Sequence, residues 1–393
     1  MTGIVIVGTG IAGISAAERL RAEGYDGTIT VLGDEPHLPY RRTVLSKDLF
    51  HADLREHRIT LRPSSFWVDK GIDVITGVTV CDADADERVI RCDDGTTLGW
   101  DALILATGAV PVRPGWLHDS VPTLRTRADA EQIRLLLRGS DAVTIIGAGL
   151  IGLELAASAA AAGLDVTVCE YADRVMARAL PPVISDHLAA LHRAHGVSLR
   201  TGVRVVTADP DTVALRDGTH IPGPVVAAIG VQPDAGLARR LGADLGQTGI
   251  VVDDFLRSSV PGVYAAGDVA AIRHALTGEP SRAEHWLSAT DQGKAVADSV
   301  LSDLTGVAAR PYIEVPLAWT VQYGSNFQIV GRPGDGHDVV VDGSVSEGDA
   351  TVVVRDGPRA VGAVAIGRPA AGRAFRADLA TSLREAGRTP VTA

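Results

Sequence analysis

The sequence predicts an α/β protein with two Rossmann-like domains and a smaller α+β domain at the C-terminal end. Three observations support this prediction. A strand, a Gly-x-Gly-x-x-Gly loop and a helix open the chain, the same arrangement returns at 142–170, and short strands alternate with turn residues after residue 310. With 393 residues the chain is too long for one ordinary hydrophobic core, so two or three domains are expected.

The composition excludes several classes of protein. Hydrophobic residues make up 46% of the chain and charged residues 22%, which is usual for a globular protein in water. The formal net charge of −11 argues against nucleic acid as a partner, because binding phosphates requires a basic surface. No uninterrupted apolar run reaches about 18 residues, so no membrane span is expected. The apolar N-terminus is broken by glycines, and we interpret it as a buried strand rather than a signal peptide.

Cysteine usage narrows the possible redox chemistry. Cys81, Cys92 and Cys169 are the three cysteines, and no two of them have the spacing of a Cys-x-x-Cys motif. We therefore expect no disulfide framework, no metal site and no dithiol redox centre. Free thiols suit a reducing compartment, so the predicted location is the cytoplasm.

The first glycine loop has the complete pattern of a dinucleotide site. Strand 4–7 precedes the loop, an amphipathic helix at 15–24 follows it, and a second strand at 28–33 ends at two acids. The glycines are Gly8, Gly10 and Gly13, and the acids are Asp34 and Glu35. In this motif the first glycine permits a tight turn, the second lets the backbone approach a pyrophosphate, and the third lets the helix pack on the strand. The acid accepts hydrogen bonds from ribose hydroxyls.

The second glycine loop repeats this pattern. Gly147, Gly149 and Gly152 lie between a strand at 142–147 and a helix at 153–163, and Glu170 ends the next strand at 165–170. Two complete motifs predict two dinucleotide sites. The residues alone do not say which dinucleotide each site holds.

Several later segments complete the predicted organisation. LILATGAVP (103–111), VAAIGVQPD (226–234) and GVYAAGDVA (262–270) each read as a buried strand followed by a glycine turn. Asp268 is predicted to open a helical stretch, where its carboxylate could accept a hydrogen bond from a sugar hydroxyl, although a plain turn or cap role stays open. After residue 310, the strand-like runs FQIVG, DVVVDG, ATVVVRDG and AVGAVAIG precede a helix at 372–387. They predict an antiparallel sheet with no evident catalytic set.

Other runs occur between the glycine loops and after them, in a fixed order: YRRTVLSKDL (40–49), ATG (106–108), TLRTRADA (123–130), GIVVDDFLRSSVPGVYAAGDVA (249–270) and EHWLSATDQGKAVA (284–297). Together with both loops, they resemble the NADH-dependent, FAD-containing ferredoxin reductases of oxygenase systems. This family includes the putidaredoxin reductase and biphenyl dioxygenase ferredoxin reductase types. The resemblance covers nearly the whole chain.

The resemblance implies a glutathione-reductase-like architecture. An FAD-binding domain would comprise 1–110 and 235–310, an NADH-binding domain 111–234, and a C-terminal domain that covers the flavin 311–393. In this family the first glycine loop holds FAD and the second holds NADH. The residues that the resemblance and the motifs place at the cofactors are Gly8, Gly10, Ala12, Gly13, Asp34, Glu35, Arg42, Lys47, Val80, Ala106, Thr107, Gly108, Arg125, Gly147, Gly149, Ile151, Gly152, Glu154, Glu170, Gly230, Gly267, Asp268, Trp286 and Trp319.

Two departures from the family pattern bear on the flavin. Thr43 and Val44 stand where the family commonly has two prolines before Leu-Ser-Lys, so this loop is expected to be less rigid. The family's Trp-Ser-Asp-Gln run is Trp-Thr-Val-Gln here, from Trp319 to Gln322. We expect Val321, in the place of the acid, to remove a charge near the flavin.

The resemblance implies catalytic roles for Lys47 and Glu154. They would form an ion pair beside the flavin, with the ammonium group favouring the anionic reduced form. Without the resemblance, a surface lysine and a solvated helix residue would be the simpler interpretation. Trp286 or Trp319 would flank the ring system, although plain packing is an equal alternative for a tryptophan.

The implied reaction ends on a [2Fe-2S] ferredoxin, which receives single electrons and feeds a cytochrome P450 or Rieske-type oxygenase. Because both proteins are acidic, a local basic surface is expected, with candidates in 41–62, at Arg310 and at Arg332. Two alternatives stay open. One is an NADH oxidase or peroxidase, whose relatives use a cysteine near position 40, where this chain has Arg41 and Arg42. The other is a redox-controlled binding protein of the apoptosis-inducing-factor type.

Overall fold

The computed structural model describes residues 3–50, 53–273 and 278–386. The last residue of the predicted helix at 372–387 and the end of the predicted domain 311–393 lie outside the described residues.

The first glycine loop belongs to a seven-stranded sheet that is largely parallel. Its order is β3-β2-β1-β6-β5-β4, with β18 pairing on β6. The elements up to residue 111 are β1 (Gly3–Val7), α1 (Ile11–Ala22), β2 (Ile29–Gly33), α2 (Val44–Lys47), α3 (Glu56–Ile59), α4 (Ser64–Lys70), β3 (Ile72–Thr76), β4 (Val80–Asp84), β5 (Val89–Cys92), β6 (Thr97–Leu105) and β7 (Ala109–Pro111). Strands β1 and β2 are buried at every position, because helices cover both faces of a parallel sheet.

The second glycine loop belongs to a separate four-stranded parallel sheet of order β10-β9-β8-β14, beside a small antiparallel sheet of β11, β12 and β13. Its elements are α5 (Arg127–Leu136), β8 (Ala142–Ile146), α6 (Leu150–Ala161), β9 (Asp165–Cys169), α7 (Pro182–Ala194), β10 (Ser198–Arg200), β11 (Val205–Asp209), β12 (Thr212–Leu215), β13 (His220–Pro222), β14 (Val225–Ala227) and β15 (Val231–Pro233). Strand β15 pairs with β7, so the two segments that connect this region to the region of the first glycine loop lie side by side.

The chain then returns to the first sheet. The elements are α8 (Gly236–Arg240), β16 (Leu245–Gly246), β17 (Gly249–Val252), β18 (Val263–Ala265), β19 (Ala270–Arg273), β20 (Pro280–Ser281) and α9 (Trp286–Thr305). Strand β18 pairs with β6 in parallel. The region of the second glycine loop is therefore an insertion in the sequence of the region that contains the first glycine loop. The domain boundaries at 110/111, 234/235 and 310/311 stay predictions.

A five-stranded antiparallel sheet closes the described chain, in the order β21-β22-β25-β24-β23. Its elements are β21 (Leu317–Gln322), β22 (Ser325–Gly331), β23 (Asp338–Ser344), β24 (Asp349–Asp356), β25 (Arg359–Ile366) and the helix α10 (Pro369–Ala386). The four strand-like runs noted in the sequence correspond to β22 to β25. Strand β21 was not among them, although it carries Trp319.

The helices that follow the two glycine loops, α1 and α6, begin earlier than predicted. Helix α1 starts at Ile11 rather than at residue 15, and α6 starts at Leu150 rather than at 153, because Gly10 and Gly149 are the N-cap residues. Helix α1 is also buried more widely than an amphipathic surface helix. It lies between the sheet and α9, and a Cβ on Gly293 would fall 2.2 Å from the Ala12 carbonyl oxygen. The helices touch backbone to backbone there.

The prediction that Asp268 opens a helix is wrong. Asp268 lies in a turn between β18 and β19, and the next helix among the described residues begins at Trp286. Gly267, with φ of 83°, makes the turn, and Gln292 on α9 accepts a hydrogen bond from its N–H at 2.6 Å. The chain continues as a strand because β19 pairs with β17.

Candidate cofactor and active site

The three glycines of the first loop have distinct surroundings. Gly8 has a φ of 122°, and a Cβ there would lie 2.1 Å from the Ala106 carbonyl oxygen. A Cβ on Gly13 would lie 2.1 Å from the carbonyl oxygen of Gly8. A Cβ on Gly10 would meet nothing within 4 Å. The outer glycines are therefore required by backbone packing, and the middle one leaves open space at the N-terminus of α1.

The second loop repeats this division. Gly147 has a φ of 105° and its Cβ would lie 2.4 Å from the Ala228 carbonyl oxygen, and a Cβ on Gly152 would lie 2.0 Å from that of Gly147. Gly149 again faces open space. Each helix therefore offers its unpaired N–H groups and positive dipole end to a space beside the backbone, which suits a phosphate group.

One cleft, with about 1050 Å³ of empty volume, reaches from α1 to α6 and β21. Its lining includes thirteen of the predicted site residues: Gly10, Ala12, Arg42, Lys47, Ala106, Gly108, Arg125, Ile151, Glu154, Gly267, Asp268, Trp286 and Trp319. These residues come from the first region, the inserted region and the C-terminal sheet. The fold thus brings segments that are far apart in the sequence together around one cleft.

The other predicted residues do not line this cleft: Gly8, Gly13, Asp34, Glu35, Val80, Thr107, Gly147, Gly149, Gly152, Glu170 and Gly230. Most of the glycines among them shape the loops. Thr107 donates a hydrogen bond to the Asp234 carbonyl oxygen at 2.6 Å, which joins the segment after β6 to the segment after β15. Val80 begins β4 and pairs with Cys92.

Glu35 belongs to a polar cluster beside the cleft. Its carboxylate accepts hydrogen bonds from Arg42 at 2.5 Å and from the Tyr40 hydroxyl at 2.6 Å, and Arg42 also donates to the Arg125 carbonyl oxygen at 3.0 Å. Burial is the main cause that raises the pKa of Tyr40, so its hydroxyl keeps its proton. Arg125 in turn lies 3.1 Å from the carboxylate of Asp268. Alternating charges thus hold this wall of the cleft in place.

Lys47 and Glu154 form an ion pair at the junction of the regions. The carboxylate, with 3% of the residue exposed, also accepts a hydrogen bond from Ser46 and one from Thr320 at 2.7 Å. The Lys47 ammonium donates to the Trp319 carbonyl oxygen at 3.0 Å and lies 5.2 Å from the centre of the Trp319 ring. The pair is therefore a built part of the cleft wall and not a solvated contact.

Glu170, at the end of β9, is engaged with the second glycine loop. Its carboxylate accepts hydrogen bonds from the N–H of Ala148 at 2.6 Å and from that of Ala172 at 2.8 Å. The contact with Ala148 keeps it next to Gly147 and Gly149. A carboxylate has lone pairs for further donors, so this position can also receive ribose hydroxyls.

The expected effect of Val321 is not supported by its position. Val321 is 43% exposed and is not among the residues that line the cleft, whereas Thr320 and Gln322, on the opposite face of β21, are buried. The side chains alternate along the strand, so the position of the missing acid points away from Glu154. The other departure, Thr43–Val44, leads into the helical turn α2, which carries Lys47.

Sequence reasoning missed several residues at this site. Ser46 and His285 line the cleft, and Thr320 and Gln322 lie behind Glu154. Ser46 was visible as the neighbour of Lys47, but no spacing rule indicated its contact with a residue 108 positions away. Burial lowers the pKa of His285, so its ring is neutral where it faces the cleft.

The cleft contains no thiol among the described residues, which include all three cysteines. Cys81 is exposed, and Cys92 and Cys169 are buried elsewhere. In the described part of the chain, no group of three or more His, Cys, Asp or Glu side chains is arranged to hold a metal ion. In the ranges 3–50, 53–273 and 278–386, no helix is long and apolar enough to cross a membrane.

Two family models match the chain. The pyridine nucleotide-disulphide oxidoreductase model matches residues 2–293, and the reductase C-terminal model matches residues 317–386. Between them they cover both glycine loops and the antiparallel sheet.

Curated proteins and a solved structure are similar over most of their length. Rhodocoxin reductase of Rhodococcus erythropolis is 38% identical over 393 residues, covering 97% of this chain and 90% of that protein. The ferredoxin–NAD(+) reductase component of the p-cumate 2,3-dioxygenase system of Pseudomonas putida is 36% identical over 342 residues, covering 86% and 83%. The crystal structure of the covalent putidaredoxin reductase–putidaredoxin complex matches with a TM-score of 0.89 and 30% identity, covering 100% of this chain and 97% of that chain.

Proposed function

The chain belongs to the pyridine nucleotide-disulphide oxidoreductase family, and from this premise we propose that it is an NADH-dependent, FAD-containing ferredoxin reductase. The observation that carries the proposal is a cleft that joins the N-terminus of α1 to that of α6 and is lined by the Lys47–Glu154 pair but by no cysteine. Two nucleotides that meet in such a cleft can exchange a hydride. Because none of the three cysteines lines this cleft to receive the electrons, they must leave from the bound flavin.

The residues of the first region suit FAD. The open backbone at Gly10 and the N–H groups of α1 fit a pyrophosphate, and the carboxylate of Asp268, held by Arg125, can accept a hydroxyl hydrogen bond. Arg42, Lys47 and Trp286 are further candidates for contacts with the cofactor. When bound, FAD supplies the conversion of a two-electron hydride donor into single electrons.

The chain's own residues hold and shield this chemistry. Lys47 provides a fixed positive charge, which favours a developing negative charge in a space with little water. Glu154 keeps that charge in place, because a partly buried ammonium group without a partner is costly. Trp286 and Trp319 supply flat apolar walls. The second glycine loop, with Glu170 beside it, binds and orients NADH.

The relatives support the choice of acceptor. One of them is named as the ferredoxin–NAD(+) reductase of a dioxygenase system, and another has been solved in a complex with putidaredoxin. We therefore assign a [2Fe-2S] ferredoxin as the direct partner of this chain, with a cytochrome P450 or Rieske-type oxygenase served indirectly. The exposed free thiol of Cys81 and the use of NADH favour the cytoplasm as the location.

The proposed function is tested by supplying NADH with and without [2Fe-2S] ferredoxins from the same source. We expect rapid ferredoxin reduction and much slower formation of hydrogen peroxide when ferredoxin is omitted. If every ferredoxin is inert while oxygen is consumed briskly, the chain is an oxidase. If the flavin is reduced but neither acceptor turns over, the redox-controlled binding protein becomes the better description.

A further inference from the structure

A chain of buried polar side chains runs behind Glu154. Thr320 lies 2.7 Å from the Glu154 carboxylate, and the Gln322 amide nitrogen lies 3.2 Å from the Thr320 hydroxyl. The Gln322 carbonyl oxygen lies 2.7 Å from Nε2 of His192, whose Nδ1 lies 3.1 Å from the Tyr323 hydroxyl. Thr320, Gln322 and His192 are each at most 1% exposed.

The charge of Glu154 determines the direction of every hydrogen bond in this chain. A carboxylate can only accept, so the Thr320 hydroxyl donates to it and accepts from the amide N–H of Gln322. The Gln322 carbonyl oxygen then accepts from Nε2–H of His192, and the free Nδ1 accepts from the Tyr323 hydroxyl. Burial lowers the pKa of His192 to about 4, which agrees with the neutral ring that this order requires.

The chain of hydrogen bonds joins two separate parts of the molecule. Glu154 and His192 lie on α6 and α7 of the inserted region, whereas Thr320 and Gln322 lie on β21 of the C-terminal sheet. Tyr323 occupies the left-handed region with a φ of 50°, which is uncommon for a bulky residue, and it stacks on His195 with ring centres 3.8 Å apart. Surrounding contacts therefore hold its hydroxyl towards His192.

We infer that Thr320, Gln322 and His192 are positioning residues that hold the Glu154 carboxylate, and through it the Lys47 ammonium, in the orientation used for hydride transfer. This inference rests on the proposed function. Each donor in the row polarises the next, so the hydrogen bond that reaches Glu154 is stronger than an isolated one. The C-terminal sheet thus contributes to the chemistry from behind the ion pair, through side chains that do not line the cleft.

The first test compares Thr320→Val with Thr320→Ser in stopped-flow reduction of the bound flavin by NADH, without ferredoxin. Valine keeps the shape but removes the hydroxyl. We expect the limiting reduction rate to fall about tenfold or more, because a hydrogen bond to a charged group is lost, while FAD content stays the same. Serine should retain the rate within about threefold, since the donor is kept. Thr351→Val, on β24, is the matched control.

A second measurement does not depend on turnover. Nitrogen-15 NMR of the histidine rings, with His192 identified by its loss in His192→Gln, should show one neutral tautomer with the proton on Nε2 at neutral pH. Gln322→Leu should remove this preference. In a double variant, Thr320→Val should add little to Glu154→Gln, because both act on one contact.

The outcomes separate the inference from the function on which it rests. If NADH does not reduce the flavin of the unsubstituted protein, the proposed function fails. If it does, the inference is overturned by a Thr320→Val variant that is reduced at the original rate, by an equal loss in Thr320→Ser, or by a His192 proton on Nδ1.

Discussion

At the scale of single residues, the Lys47–Glu154 pair is the most consequential feature. A buried carboxylate and a partly buried ammonium group are costly to remove from water, and they are tolerated when further hydrogen-bond partners satisfy them. Ser46 and Thr320 do so for the carboxylate, and the Trp319 carbonyl oxygen does so for the ammonium. An arrangement with so many partners is expected where a charge must keep its position during a reaction.

Lys47→Met should slow flavin reduction by NADH about tenfold or more while leaving FAD retention nearly unchanged, because the substitution removes a charge but keeps the volume. Glu154→Gln should alter the affinity for NADH as well as the rate. The double variant should lose less than the sum of the two effects, since the residues act as a unit. Stopped-flow reduction at several NADH concentrations measures both quantities. Unchanged rates in both single variants would make the pair purely structural.

Glu170 predicts the choice of coenzyme. Its carboxylate lies at the loop where the adenosine ribose of NADH is expected, and it would repel the extra phosphate of NADPH. The unsubstituted chain should therefore have a much higher kcat/KM with NADH. Glu170→Ala should reduce this preference about tenfold, mainly through KM for NADH. Glu170→Gln, which can still accept the N–H of Ala148, controls for loosening of the loop. Equal efficiency with NADPH in the unsubstituted chain contradicts the prediction.

At the scale of elements, the middle glycine of each glycine loop is a position where a substitution can affect ligand binding without disturbing the fold. Gly10 and Gly149 have φ of −67° and −77°, which any residue can adopt, and a Cβ at either position meets open space. Their outer neighbours have no such freedom, because a Cβ would strike backbone atoms. The middle positions are therefore suited to a test of which loop holds which nucleotide.

Gly10→Ala should fold normally but retain FAD about tenfold less tightly, because the added methyl group fills the space for the pyrophosphate. Gly149→Ala should keep FAD and bind NADH about tenfold more weakly for the same reason. FAD content after gel filtration and NADH titration of the oxidised protein measure the two effects, and each variant serves as the control of the other. The opposite result would exchange the two assignments.

At the scale of the whole molecule, charge bears on the encounter with ferredoxin. The net charge is −11, yet Arg41, Arg55, Arg58 and Arg62 are exposed around the segment that carries Arg42 and Lys47 into the cleft. Arg310 is also exposed, whereas two guanidinium nitrogens of Arg332 are buried, which makes Arg332 a poor candidate for docking. A local basic surface can attract an acidic partner despite an acidic total.

The rate of ferredoxin reduction should fall about tenfold as salt rises from low ionic strength to well above the physiological level, since steering between exposed charges is screened. Arg41→Glu should lower the rate at low salt and flatten this dependence. Arg216→Glu, on the turn after β12 in the inserted region, makes the same change of charge as a control. A rate that is independent of salt, or an equal loss in both variants, argues against docking through this surface.

The sequence by itself determined the two glycine loops, the acids that follow them and the order of strands and helices around them. These features are set locally. A tight turn needs a residue that can adopt positive φ, and a close approach of helix and strand needs a residue without a Cβ, so the spacing of the glycines carries the structure directly. The resemblance added the proposed roles of Lys47 and Glu154. No local pattern specifies their contact, because the two residues are 107 positions apart in the sequence.

Only the tertiary structure decided what surrounds those residues. It placed Ser46 and Thr320 on Glu154, turned Val321 away from the ion pair, and put Asp268 in a turn because β19 had a partner strand in β17. The physical reason is that each of these outcomes depends on which face of one element packs against another. The alternation of side chains along β21 predicts that Thr320 and Gln322 share a face of the strand. Only the packing of β21 against α6 and α7 places that face behind the ion pair.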